Sequence, residues 1–181
     1  MNLKQTVAFY NAVPNIIWSI LNLLPVSIFC YRFVNLKLLL LFLLISGFAV
    51  LLPKAFFQNI QLSNSVRVYK KLGVHWINKF TQNGEIINRL VRKKNPEYRV
   101  VSIKKPSINR LVGQTYMFEK FHFLLFIFFI LITASAIIMQ YPGWALIITV
   151  TNIIYNVYPC LLQQYIRIRL LNFQKINLRN L

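Results

Sequence analysis

Between Phe121 and Ile166 the chain carries no charged side chain, and Gln140-Tyr141-Pro142-Gly143 interrupts that run near its middle. Roughly 20 apolar residues cross the hydrocarbon core of a bilayer, so this stretch is long enough for two spans joined by a tight turn. In lipid the backbone must satisfy its own hydrogen bonds, and uncharged runs of this length do so as helices. The predicted fold class is all-α, a polytopic membrane protein with about four transmembrane helices.

The N-terminal third fits the same scheme. Gln5 to Tyr31 is uncharged and supplies the first span, read as an uncleaved helix because no small-x-small cleavage site follows it. Pro14 sits where that helix could begin, and Pro25 is interior, where it should kink or break the helix. Leu38 to Pro53 lies between Lys37 and Lys54 and gives about 24 Å of helix at 1.5 Å per residue. It crosses if the flanking lysines snorkel, or forms a re-entrant hairpin with the first run.

Charge organises the remainder. The chain has 21 Lys and Arg against three acids, a net charge of +18, and an apolar content of 57%. Fourteen of the 21 lie in residues 54–120, four more in the tail from Arg167, and only Arg32 and Lys37 in the opposite turns. The positive-inside rule then places both termini and the large loop in the cytoplasm, in the cell inner membrane. The expected organisation is one membrane domain, 1–181, with spans at roughly 10–31, 36–53, 121–140 and 143–165, a basic loop 54–120 and an interfacial tail 167–181. Within the loop, Ser65–Phe80 reads as one amphipathic helix and Glu85–Lys94 as another, with a turn at Asn83-Gly84. Anionic membrane lipid explains this charge without a nucleic-acid module. Cys30, Cys160, His75 and His122 lack the count and spacing of a metal site, so no metal is expected.

Two constellations carry polar chemistry. Asn152, Asn156, Gln163, Tyr165, Arg167 and Arg169 lie in or just beyond an otherwise apolar run, where amides are expensive unless they pair or face a cavity. They either line a site or join helices, with the arginines anchoring a helix end at the lipid surface. Arg167 and Arg169, two residues apart, do not share a face, so at most one points into a site shared with Gln163. Glu119 and His122, at i and i+3, do share a face. A carboxylate there could hold the imidazole as a base for a hydroxyl, or both could simply meet lipid headgroups.

The order Asn156, Pro159, Gln163, Tyr165, Arg167, Arg169, Leu170 resembles the C-terminal signature of the glycosyl-4,4'-diaponeurosporenoate acyltransferases of staphyloxanthin-type carotenoid synthesis. Thr115, Glu119 and His122 stand at the spacing of that family's Thr-x-x-x-Glu-x-x-His-Trp, with Phe123 in place of the tryptophan. Lys71-x-Gly73-x-x-Trp76 and Pro53-x-x-x-Phe57 resemble two further family motifs upstream. A Trp-Lys pair expected a little further on is absent, the chain reading Phe80-Thr-Gln-Asn-Gly84.

The resemblance implies a membrane-bound O-acyltransferase that esterifies a hydroxyl of a glycosylated carotenoid or related lipid. No cofactor is implied, only an acyl thioester donor, acyl-CoA or an acyl-carrier protein, and a lipid-soluble acceptor. Residue chemistry on the matched positions then points to His122 as base and Glu119 as its orienting partner. Asn156, Gln163 or Tyr165 would stabilise the oxyanion, and Arg167 and Arg169 would hold donor phosphates. Lys71, Trp76 and Asn152 would help bind substrate. The alternative is a non-catalytic membrane subunit whose Asn/Gln/Tyr face packs against a partner protein.

Overall fold

The computed structural model describes residues 2–81, 84–98 and 105–179, and these are helical with no strand among them. Helix α1 (Leu3–Phe33) starts on a capping box: the Asn2 side chain accepts from the Gln5 N–H while Gln5 Oε1 accepts from the Asn2 N–H, both at 3.0 Å. Pro14 and Pro25 both lie inside this helix, so neither begins it nor ends it. Each removes one backbone bond, and in apolar surroundings without competing water the flanking turns hold the helix together.

The chain reverses at Val34-Asn35, where Asn35 Oδ1 accepts from the Leu38 N–H at 2.8 Å and caps α2 (Leu36–Gly47). A 3-10 turn, Phe48–Leu51, continues it. Helix α7 (Lys105–Ile138) and the pair α8 (Pro142–Asn152) and α9 (Tyr158–Arg179) complete the bundle. Three helical stretches, Gln5–Phe33, Ser107–Ile138 and Pro142–Ile176, are long and apolar enough to cross a membrane, and Leu36–Leu51 is a shorter apolar helix.

Contacts set their directions. Phe33 lies 4.5 Å from Tyr141 by ring centroid, and Lys120 Nζ donates to the Val50 carbonyl at 2.7 Å. Thus α1 and α7 run one way, and α2 and α8–α9 the other. The membrane core is the cluster of Val26, Phe29, Phe129, Ile132, Ala136 and Ile148. At 34 residues α7 is about 51 Å long, well beyond the roughly 30 Å hydrocarbon core. Its N-terminal part, residues 105–120, was expected in the basic loop and is instead continuous with the span. The tail from Arg167 is likewise no separate helix but the end of α9.

Four short helices pack beside these projecting ends: α3 (Lys54–Asn59), α4 (Val66–Lys71), α5 (Val74–Phe80) and α6 (Glu85–Lys94). The helix expected over Ser65–Phe80 is broken at Gly73, whose φ of 75° is left-handed and favours glycine. The break lets Tyr69 and Val74 pack against Leu162, Tyr165 and Ile168 of α9 in a second core. Helix α6 has the expected bounds and buries Ile87 and Val91. Of the Asn83-Gly84 turn, Asn83 lies outside the described residues.

Candidate active site

The site begins with a missing N–H. Pro159 cannot bond to the carbonyl of Tyr155 four residues earlier, and the backbone widens into a π turn, Ile153–Val157, closed by the Tyr158 N–H reaching the Ile153 carbonyl. That turn directs both Tyr155 and Asn156 inward, and both are buried. The Tyr155 hydroxyl meets Ser19 Oγ of α1 at 3.0 Å.

Behind it runs an amide relay whose polarity follows from its first acceptor. The Phe126 carbonyl can only accept, so it takes Asn152 Nδ2 at 3.2 Å, and Asn152 Oδ1 is left to accept from Asn156 Nδ2 at 2.8 Å. Asn156 Oδ1 is the acceptor that remains, fully buried and without a well-formed bond. The His122 imidazole adjoins the Asn156 side chain and the Tyr155 backbone. Its Nδ1 is also buried and lacks a well-formed bond, and its ring lies edge-on to Tyr155 at 5.7 Å. An Nδ1–H turned to this acceptor leaves Nε2 with its lone pair, the form a base requires.

His122 lines a half-open cavity of about 1540 Å³ between α1, α5, α6, α7 and α9. The hydrogen bonds that pair Glu119 with Gln164 and Asn109 with Gln174, ten residues apart on each helix, show that the antiparallel α7 and α9 keep level over this stretch. His122 and Tyr155 therefore stand at the deep end, and Leu111 and Phe173 at the other, about 16 Å away along α7. Trp18, Phe118, Phe121 and Ile154 make the deep part apolar, while Arg89, Arg92, Lys93 and Arg169 line the cavity as cations.

Glu119 does not orient His122, contrary to the expected pairing. Its Oε2 accepts from Arg167 Nη1 at 2.6 Å and its Oε1 from Gln164 Nε2 at 2.7 Å, and both charged side chains are only 1% exposed. Gln61 Oε1 accepts from Arg167 Nε at 3.2 Å and Nη2 at 3.0 Å, and the Arg167 guanidinium lies 4.1 Å from the centre of the Tyr116 ring. Gln164 Oε1 accepts from the Leu62 N–H at 3.2 Å and faces the Tyr69 hydroxyl at 3.0 Å. Burial pushes the Tyr69 hydroxyl above its ordinary value of 10, outweighing the opposing pull of the Ser63 backbone and Arg167, so it stays protonated at neutral pH. These groups clamp the segment 61–69 to α7 and α9. Removing one partner of such a buried pair costs about 3–5 kcal/mol.

The expected site residues therefore separate. His122, Gln163 and Arg169 share the cavity, and Asn152 and Asn156 stand behind His122. Arg167, expected to hold a phosphate, is committed to Glu119 and Gln61 and does not line the cavity. Tyr165, expected at the oxyanion, is buried in the second core beside Tyr69. Lys71 and Trp76 are exposed away from the cavity, Trp76 under Lys79 Nζ at 3.9 Å. Asn15, Trp18 and Ser19 of α1 join the lining without having been expected there. Asn15 and Ser19, four apart in an apolar run, were a readable sign of a polar helix face.

The fold and cavity define a polytopic membrane protein whose cavity is lined by cations at one end and by apolar side chains at the other, with an imidazole at its deep end. A family model described as CrtO, glycosyl-4,4'-diaponeurosporenoate acyltransferase, matches residues 53–175. That is more than half of the chain, and the chain belongs to this family of carotenoid-biosynthesis acyltransferases. No curated protein and no solved structure matches it. The matched segment holds every described lining residue except those of α1.

Proposed function

We propose that the protein transfers a fatty acyl group from an activated thioester to a sugar hydroxyl of glycosyl-4,4'-diaponeurosporenoate or a closely related glycolipid. The observation that carries this reading is the position of His122, on the wall of an amphipathic cavity and backed by the Asn152–Asn156 relay. His122 Nε2 takes the proton of the acceptor hydroxyl as its oxygen attacks the thioester carbonyl. Gln163, the polar side chain of α9 on the same wall, donates to the developing oxyanion. When the tetrahedral intermediate collapses, the C–S bond breaks and the leaving thiolate receives the proton from His122. The basic side, with both termini, faces the cytoplasm of the cell inner membrane, where the donor is supplied.

The subunit alternative requires an amide face turned outward. Asn152, Asn156 and Gln164 are instead satisfied within the chain or directed at His122, which favours the enzymatic reading. The test is mass spectrometry of pigments and polar lipids from cells lacking the protein and from cells supplied with it or with His122→Ala. A glycosylated carotenoid gains a fatty acyl ester with the intact protein and not with the variant, whose membrane insertion and thermal unfolding match the parent. An active, well-inserted His122→Ala protein refutes the assignment of the base. No change in any acylated lipid refutes the acyl-transfer reading.

A further inference from the structure

The cations at the cavity belong mostly to one short helix. Along α6 the positions 85, 88, 89, 92 and 93 all line the cavity, the i, i+3, i+4, i+7, i+8 stripe of a single helix face. Ile87 and Val91 occupy the other face and are buried. The helix is thus oriented by its apolar side so that Arg89, Arg92 and Lys93 stand on the cavity side, exposed at its rim, with Arg169 of α9 in the same lining. The lone acid on this stripe, Glu85, meets Arg89 at 3.5 Å with both side chains more than half exposed, too loose a pair to neutralise the group. Arg92 donates through Nε to the Tyr98 carbonyl at 3.3 Å, which orients the guanidinium and leaves its terminal nitrogens for a ligand. Lys94, just past the stripe, has Nζ 5.8 Å from the centre of the Tyr10 ring on α1. That contact holds the C-terminal end of α6 at the level of Tyr10, about 13 Å along α1 from Ser19 and hence from the deep end.

We propose that this stripe of α6, with Arg169 opposite, binds the phosphates of an acyl-coenzyme A donor and so sets the donor's register in the cavity. The assignment rests on the acyl-transfer reading and moves the phosphate site from Arg167, which is buried against Glu119, to a helix that matches none of the motifs read in the sequence. Two arginines and a lysine on adjacent turns offer planar forks and a mobile ammonium, a combination suited to several phosphate oxygens at once. The thioester then extends along the cavity toward His122, and the acyl chain toward Trp18, Phe121 and Ile154. These cations are exposed at the rim of the cavity, where a phosphate arriving from solvent meets them first, and the Arg92 guanidinium is already oriented by the Tyr98 carbonyl.

The test is equilibrium binding, without turnover, of a non-reactive S-alkyl coenzyme A thioether to the full chain in phosphatidylcholine nanodiscs, compared with S-alkyl pantetheine, which has the same chain and no phosphate. The wild type binds the coenzyme A thioether at least about tenfold more tightly than the pantetheine compound. Arg89→Gln/Arg92→Gln/Lys93→Gln abolishes that preference and leaves pantetheine binding unchanged, which also reports a folded cavity. Lys70→Gln/Lys71→Gln on α4, outside the cavity, keeps the preference. Equal affinity for the two ligands in the wild type overturns the proposal, as does an equal loss in the α4 variant, which would mark a diffuse charge effect. Tight binding of an acylated carrier protein with no preference between the small ligands overturns it as well. A wild type that acylates pigment yet shows no phosphate preference counts against the α6 site alone, whereas a preference present with no acylated pigment counts against the acyl-transfer reading alone.

Discussion

Replacing Arg167 by methionine keeps much of its volume and removes its charge, leaving the Glu119 carboxylate 1% exposed with Gln164 as its one remaining side-chain donor. A buried charge stripped of its partner costs about 3–5 kcal/mol. At about 2–4 °C of melting temperature per kcal/mol for a chain of 150–250 residues, the variant should unfold about 6–20 °C below the wild type. Glu119→Gln leaves a cation that still has Gln61 Oε1 and the Tyr116 ring, so its loss should fall in the lower half of that range. The double variant should lose less than the two singles added together, because it buries no unpaired charge. The assay is thermal unfolding in mild detergent followed by near-UV circular dichroism, which reports packing rather than helix content. Single variants melting within about 2 °C of the wild type, or a double variant equal to the sum, would refute the clamp. A folded Glu119→Gln protein whose acyl transfer showed an altered pH profile would return the carboxylate to His122.

Other outcomes follow from the same geometry. Asn156→Leu removes the acceptor facing His122 and should lower kcat by about tenfold to a hundredfold, short of the about 10²–10⁴-fold expected of His122→Ala, with the KM for donor unchanged in steady-state kinetics. Gly84→Ala places a Cβ against the backbone oxygens of Thr81 at 2.7 Å and Lys79 at 2.9 Å, besides that of Asn78, and should cost about 1–3 kcal/mol, read as a lowered melting temperature. Because burial raises the Tyr69 value above 10, its contribution to stability is present below pH 10 and declines as pH rises from there through the folded-state value. Melting temperatures should therefore fall over that alkaline range, by less in Tyr69→Phe than in the wild type. An identical alkaline decline in the two proteins would refute the role of Tyr69.

The apolar runs made the long helices legible, since chain length in lipid admits few other solutions. Periodicity likewise showed α6, whose Ile87 and Val91 alternate with cations at helical spacing. What spacing does not carry is which neighbour a charged group meets. Glu119 is one of only three acids in a chain of 21 cations, and at the edge of an apolar run it needs a cation. His122 was nearest in sequence, but three helical positions turn a side chain about 60° from its origin, enough to put Glu119 on the α9 side and His122 on the cavity side. Gln61 and Tyr116 hold Arg167 from a loop and another helix, and no local pattern marks them. The ends of the helices were not legible for a related reason: charge marks where an apolar run stops, whereas α7 and α9 continue beyond it because they pack on each other and on the short helices.

The π turn at Ile153–Val157 amounts to one residue more than a regular helix would hold between α8 and α9. A helix turns about 100° per residue, so deleting a single residue there would restore regular winding and rotate all of α9 against α8 by that angle. Arg167 would swing from Glu119 and Arg169 from the cavity, while the apolar residues of both helices still found lipid or protein to cover them. Such a chain would insert and keep its helix content yet lose clamp and cavity wall together. Sequence length in this one segment is therefore under tighter constraint than the identity of most residues in it, and natural relatives should tolerate substitutions at Ile153, Ile154 and Val157 far more readily than a gap.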